Sequence, residues 1–182
     1  MTKAIGLLEF ISIAKGIEST DTALKASTVD LLLARPICPG KYIFLISGDV
    51  SNVRNSIESA KRVGIETVVD ELVIPNIHPD LIPAISAITI IEEINALGII
   101  ETFSCGSTIE AADVAAKTAE VSLIEVRLGM GIGGKAFVTL TGEVEAVKSS
   151  IKSAAVIPER KGLLVRKVVI PSLHRDIKKF IL

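Results

Sequence analysis

The sequence predicts an α+β chain made of two copies of one βαββαβ unit. Two observations carry that reading. The chain repeats itself from end to end, and each copy alternates short apolar runs with stretches of helical period. Ala4-Ile5-Gly6-Leu7-Leu8-Glu9 returns as Ala96-Leu97-Gly98-Ile99-Ile100-Glu101, and Val73-Ile74-Pro75-Asn76-Ile77-His78 as Val169-Ile170-Pro171-Ser172-Leu173-His174. Between these ends Ser12, Asp21, Lys25 and Arg35 match Ser104, Asp113, Lys117 and Arg127 in unbroken order. The second copy then gains two residues before Gly134-Lys135, the counterpart of Gly40-Lys41, and two more near its end. Small insertions are tolerated in surface loops and rarely inside packed elements, so the first marks a loop that differs between the copies.

Each element of the first copy follows from its residues. Positions 3–10 are apolar up to a polar end and read as a strand. Positions 15–27 set Ile17, Ala23 and Leu24 among Glu18, Asp21 and Lys25, an amphipathic helix. The run Val29-Asp30-Leu31-Leu32-Leu33-Ala34 predicts a buried strand over 28–36. Pro39-Gly40 turns the chain, and 41–47 form the next strand. Asp49 or Ser51 caps a helix over 50–63. A fourth strand over 66–74 stops at Pro75, and His78-Pro79 opens a short helix. The order is the ferredoxin-like split βαββαβ arrangement. The expected domains are 1–90 and 91–182, with 90–96 joining them as a helix end and a turn.

Composition narrows the function classes. Of 182 residues, 49% are hydrophobic but only 3% aromatic, so Ile, Val, Leu and Ala must build the cores. Twenty basic and twenty-one acidic residues are well mixed, which argues against nucleic acid, because that needs a basic face. Uncharged stretches such as 81–91 are too short to span a bilayer, so no membrane partner is expected. The high mean hydropathy of +0.55 is expected to be absorbed by interfaces between subunits. Met1-Thr2-Lys3 leads straight into a strand pattern without a signal-peptide h-region, and Cys38 and Cys105 do not occupy matching positions, so a disulfide framework is not expected and the cytoplasm is the default compartment.

Few residues suggest chemistry. Gly129-Met130-Gly131-Ile132-Gly133-Gly134-Lys135 fits a G-x-G-x-x-G motif and most of a P-loop, but Ala136 stands where Ser or Thr would bind Mg²⁺. Both motifs also need a helix after the glycines, whereas the pattern from Ala136 to Gly142 is that of a strand. No Ser-His-Asp, paired-carboxylate or HExxH arrangement stands out, so an enzyme is not expected. Glu9 and Glu101 recur at strand ends, where strand pairing or interface contact explains them better than acid–base work. His78 and His174 recur with the scaffold, which suggests a structural role. Cys105 aligns with Ile13 at the end of the first strand and reads as core. Taken by itself, Cys38 also reads as a small half-buried hydrophobe, the ordinary fate of a lone cysteine.

The pattern Ala-Ile-Gly-Leu-Leu-Glu, then Asp21-x-x-x-Lys25-Ala26, Pro39-Gly40-Lys41 and Gly48-Asp49-Val50, resembles bacterial microcompartment shell domains, twice over and across nearly the whole chain. Ser12-Ile13-Ala14-Lys15-Gly16, Ile37-Cys38-Pro39-Gly40-Lys41, Asn76-Ile77-His78-Pro79 and the glycine loop are similar to the tandem-domain shell proteins of propanediol-utilisation microcompartments. The resemblance implies a homotrimer that mimics a hexamer and tiles with other shell proteins around an enzyme core in the cytoplasm. It implies a central opening lined by Ile37, Pro39, Gly40, Met130, Gly131, Ile132 and Gly133. There Cys38 from each of three chains would hold a 4Fe-4S cluster, one per trimer, for electron transfer to an encapsulated redox enzyme or for cluster transport. It further implies tile-edge roles for Lys25, Lys117, Asn76, His78, Ser172 and His174. A cluster-free metabolite pore is the rival within that class. A regulatory protein that binds a small ligand is the rival outside it, since tandem ferredoxin-like domains often bind such ligands.

Overall fold

A computed structural model describes residues 4–181. Among the described residues, eight strands and seven helices follow one another as two rounds of one order, the second with an additional short helix before its last strand. The first round is β1 (Ala4–Phe10), α1 (Ile13–Ala26), β2 (Asp30–Ile37), β3 (Lys41–Gly48), α2 (Val50–Gly64) and β4 (Val68–Ile74), trailed by α3 (Leu81–Ile85). The second is β5 (Ala96–Thr102), α4 (Cys105–Thr118), β6 (Val121–Leu128), β7 (Ala136–Gly142), α5 (Val144–Ala154), α6 (Val156–Arg160) and β8 (Leu164–Ile170), trailed by α7 (Arg175–Lys178).

Each round makes one antiparallel four-stranded sheet, in the orders β2-β3-β1-β4 and β6-β7-β5-β8. Even the irregularities are duplicated. A bulge between Leu31 and Leu33 in β2 recurs between Leu123 and Glu125 in β6, and one between Glu9 and Phe10 recurs between Glu101 and Thr102. In the first unit α1 and α2 cover a core of Leu8, Phe10, Phe44, Ile46, Val53 and Ile57. The Phe10 and Phe44 rings stack with centroids 6.0 Å apart. Gly6 lets α2 come down on β1, since a Cβ there would lie 2.6 Å from the Ile57 side chain. Gly98 does the same beneath Ile151 of α5.

Several expectations are corrected at this level. Helix α1 starts at Ile13, because the Ser12 hydroxyl accepts the Lys15 N–H at 3.3 Å and stops the strand earlier. Ile13 and its counterpart Cys105 therefore open helices and do not end strands, although Cys105 is fully buried as expected. Asp49 stands at the N-cap of α2 without a side-chain capping bond. The linker from Ile90 to Asn95 carries no helix end, since α3 closes at Ile85. The run in β2 is not buried: most of its residues are exposed, because β2 is a sheet edge and nothing within its unit covers its outer face. Its counterpart β6 is largely buried.

Compact units follow the repeats with one exchange at each junction. The first comprises Met1–Ile77 with Met130–Gly134, and the second His78–Gly129 with Lys135–Leu182. Residues 78–95 thus belong with the second repeat, and the glycine loop packs with the first. Among the described residues no helix is long and apolar enough to cross a membrane.

Candidate functional site

The turn between β2 and β3 carries the first repeat's distinctive residues. Ile37 is buried and anchors it, and the Gly40 N–H closes it on the Ile37 carbonyl at 3.0 Å. Gly40 has φ +82°, a left-handed conformation that glycine adopts at no steric cost. The Cys38–Pro39 peptide is cis. This places a free, half-buried Cys38 at the apex.

The equivalent loop of the second repeat is built differently. The Gly129 N–H closes it on the Lys135 carbonyl at 3.1 Å, and Gly129, Gly131, Gly133 and Gly134 all have positive φ. Met130 is exposed at its tip. Strand β7 follows directly, so no helix N-terminus faces the glycines and the phosphate-binding reading has no support. Instead Gly134 lies against the cysteine turn. A Cβ there would come within 2.7 Å of the Cys38 carbonyl oxygen and 2.9 Å of the Pro39 ring. This contact was not legible in the sequence, because nothing in a run of glycines says what the backbone approaches.

Below each loop sits a cross-strand ion pair. Lys41 Nζ donates to Glu9 Oε1 in the first repeat, and Lys135 Nζ to Glu101 Oε1 in the second. The Glu9 carboxylate is almost fully buried, whereas Glu101 and Lys135 stay partly exposed. The signal for these pairs was present as the joint recurrence of a glutamate at a strand end and a lysine after a glycine. Only the β1–β3 and β5–β7 registers reveal that they meet.

Cys38 offers one soft thiolate donor per chain, the donor type that suits iron–sulfur ligation. Among the described residues no group of three or more His, Cys, Asp or Glu side chains could hold a metal ion. The fit to a cluster is therefore that of a shared site: a half-buried thiol on a glycine-bearing turn, to be completed by other copies. Cys105 takes no part, being buried at the start of α4.

The remaining candidates lie on other elements of the chain. Lys25 pairs with Asp21 on the open face of α1, and Lys117 with Asp113 on α4, both at 2.6 Å. Asn76 holds φ 67°, a conformation that asparagine tolerates well, and Ser172 occupies the matching position. His78 and His174 each use Nδ1 to accept a backbone N–H two residues on, from Asp80 and Asp176, at 3.3 Å. The His78 N–H also donates to Asp113 Oδ1 at 2.7 Å, whereas His174 is exposed.

The BMC domain family matches residues 4–77 and again 96–173. The bacterial microcompartment shell protein PduT of Citrobacter freundii is 41% identical over 177 residues, covering 97% of this chain and 96% of that protein. The single-domain shell protein EutM of Salmonella typhimurium is 38% identical over 85 residues, 46% of this chain and 85% of its own length. A microcompartments protein from Desulfitobacterium hafniense DCB, known from its crystal structure, superposes with a TM-score of 0.92 at 54% identity, covering 98% of this chain and 99% of that one. The PduT and EutM relatives are bacterial microcompartment shell proteins. The chain belongs to the BMC domain family, as a tandem-domain microcompartment shell protein of the PduT kind.

Proposed function

We propose that three copies of this chain form a pseudohexameric tile of a microcompartment shell in the cytoplasm, and that Cys38 of the three chains holds one 4Fe-4S cluster at the central opening. The observation that carries this reading is the difference between the two loops. One repeat presents a half-buried cysteine on a closed turn, and the other presents glycines and no cysteine. Cys38 from each of three copies would then supply three thiolates toward such a cluster. Ile37, Pro39, Gly40, Met130, Gly131, Ile132 and Gly133 would line the opening. When bound, such a cluster would supply one-electron chemistry, which suits exchange with an encapsulated redox enzyme; transport of the cluster itself is the other role the site would allow. The chain's own part is to hold the thiol. Ile37 anchors the turn, Gly134 buttresses it and the Glu9–Lys41 pair fixes the strand ends beneath it. Lys25, Lys117, Asn76, His78, Ser172 and His174 are proposed to meet neighbouring shell proteins at tile edges.

The test is an iron and sulfide assay with a visible spectrum on anaerobically reconstituted protein, with mass by light scattering. The expected result is a species of about three times 19.3 kDa carrying about four irons. Cys38→Ser should keep the mass and lose the iron. A colourless, iron-free trimer overturns the cluster and leaves a metabolite pore lined by the same loops.

A further inference from the structure

Strand β8 ends its sheet: β5 lies on one side of it, and among the described residues no strand lies on the other. Such an edge offers unpaired backbone N–H and C=O groups, a template for a further strand, here along seven residues. Beside it runs a groove of about 240 Å³ between α5 and β8. Ile151, Val168 and Val169 give the groove apolar walls, and Lys148, Lys152 and Lys167 complete its lining. Lys167 and Val169 stand opposite Ile100 and Gly98 of β5. A Cβ on Gly98 would lie 2.9 Å from Ile151, so this is the sheet face that α5 covers. Val168 stands opposite Ile99 and belongs to the other face.

The matching positions of the first repeat carry a different charge. Lys152 stands where that repeat has Glu58, Lys167 where it has Glu71, and Lys148 where it has Arg54. One cation and two carboxylates are thus exchanged for three cations. The scaffold does not demand this, because β4 ends the first sheet beside β1 just as β8 ends the second beside β5. Guarding the edge against aggregation does not demand it either, since charges on the edge strand suffice for that, and Lys148 and Lys152 stand on a helix. Nor does the chain consume these charges. Lys148 and Lys167 reach Glu145 and Glu159 at 2.7 and 2.6 Å, but both lysine side chains are about half exposed, and such pairs contribute little and exchange readily. Lys152 is exposed and has no acidic partner among the described residues.

We propose that α5 and β8 form a docking surface for an acidic, extended segment of another protein, taken up as a fifth strand along β8. The segment's main chain pairs with the open edge. Alternate side chains of a strand share a face, so carboxylates on every second residue meet Lys148, Lys152 and Lys167, and the apolar residues between them lie beside Val168. All these positions belong to one compact unit of one chain, so the site stands whether or not the cluster forms.

The test uses the full chain and three fluorescein-labelled peptides of about eight residues, enough to span β8. They alternate Glu with Val, Ser with Val, and Lys with Val. Fluorescence anisotropy at about 0.05 M salt is expected to show binding of the Glu–Val peptide, binding of the Ser–Val peptide about ten-fold weaker or more, and none of the Lys–Val peptide. Raising the salt to about 0.5 M should weaken the Glu–Val complex. Lys148→Glu with Lys152→Glu should weaken it about ten-fold or more, whereas Arg54→Glu on the matching helix should leave it unchanged. Amide hydrogen exchange should slow in β8 when the Glu–Val peptide binds. Absence of Glu–Val binding overturns the proposal, and so does equal binding by the double variant. Binding that leaves β8 exchange unaltered is surface attraction only and overturns the strand addition. Circular dichroism checks that the double variant folds. If it does not, Lys152→Gln replaces it, with a loss of about three-fold expected and unchanged affinity overturning the proposal.

Discussion

Strands β2 and β6 occupy the same place in two nearly identical sheets, yet one is open and the other buried. Both are edge strands, both pair with the next strand in matching register, and both carry the same bulge. Their sequences are comparably apolar: Asp-Leu-Leu-Leu-Ala-Arg against Ser-Leu-Ile-Glu-Val-Arg. What differs is cover. The trailing segment of the first repeat lies on β6, whereas β2 meets β3 and α1 in its own unit and most of its residues stay exposed. Two regions of equal local propensity thus differ in burial because chain connectivity supplies a neighbour to only one of them. An edge strand left apolar and open is a liability in a monomer and an asset in an assembly.

Paired substitutions at matched positions can break or sharpen this comparison. The largest effect is expected for Leu81→Asp, which puts an unpaired carboxylate into the α3–β6 contact. Loss of burial and charge desolvation together should cost about 3–5 kcal/mol in urea denaturation. The matched Ile177→Asp should leave the stability of the monomer within about 0.5 kcal/mol, since that residue is half exposed. Equal losses at the two positions would show that cover is not what separates the repeats.

Next comes the pair beneath the loops. Lys41→Ala strips the cation from the buried Glu9 carboxylate and should cost about 3 kcal/mol. Lys135→Ala should cost about 1 kcal/mol or less, because water reaches Glu101. Gly134→Ala should cost about 1–3 kcal/mol, from the left-handed φ of +77° together with the close approach to the Cys38 carbonyl. Gly131→Ala has φ +75° but open space around it, so only the backbone cost of about 1 kcal/mol is expected. Thermal denaturation measures the difference, which isolates the buttressing contact. The last comparison separates the aspartates. Asp113→Ala loses the His78 and Lys117 bonds and should cost about 1–2 kcal/mol, while Asp21→Ala, in an exposed ion pair, should change stability by less than about 0.5 kcal/mol.

The duplication, the strand and helix order and the shell-protein resemblance were legible in the residues because each rests on local pattern. Alternating apolar runs, helical period and the Pro75 and Pro171 breaks act within a few positions of themselves, whereas the Ser12 and Ser104 caps were found in the structure. The glycine loop could be stripped of its nucleotide reading on the same basis, since the strand that follows it is a local signal. Burial was less legible. The run Leu31-Leu32-Leu33 looks like core by any count of apolar residues, and it is surface in this chain.

Sequence alone determined that two copies of one βαββαβ unit exist, that their loops before the third strand differ, and that Cys38 stands in just one of them. Tertiary structure decided which apolar surfaces find a partner and which stay open, that Gly134 rests on the Cys38 turn, and that Glu9 and Glu101 meet Lys41 and Lys135. The physical reason is range. Propensity, capping and hydrophobic period are set by neighbours within a turn or two. Burial and charge pairing are set by residues tens of positions away, and no local pattern names them.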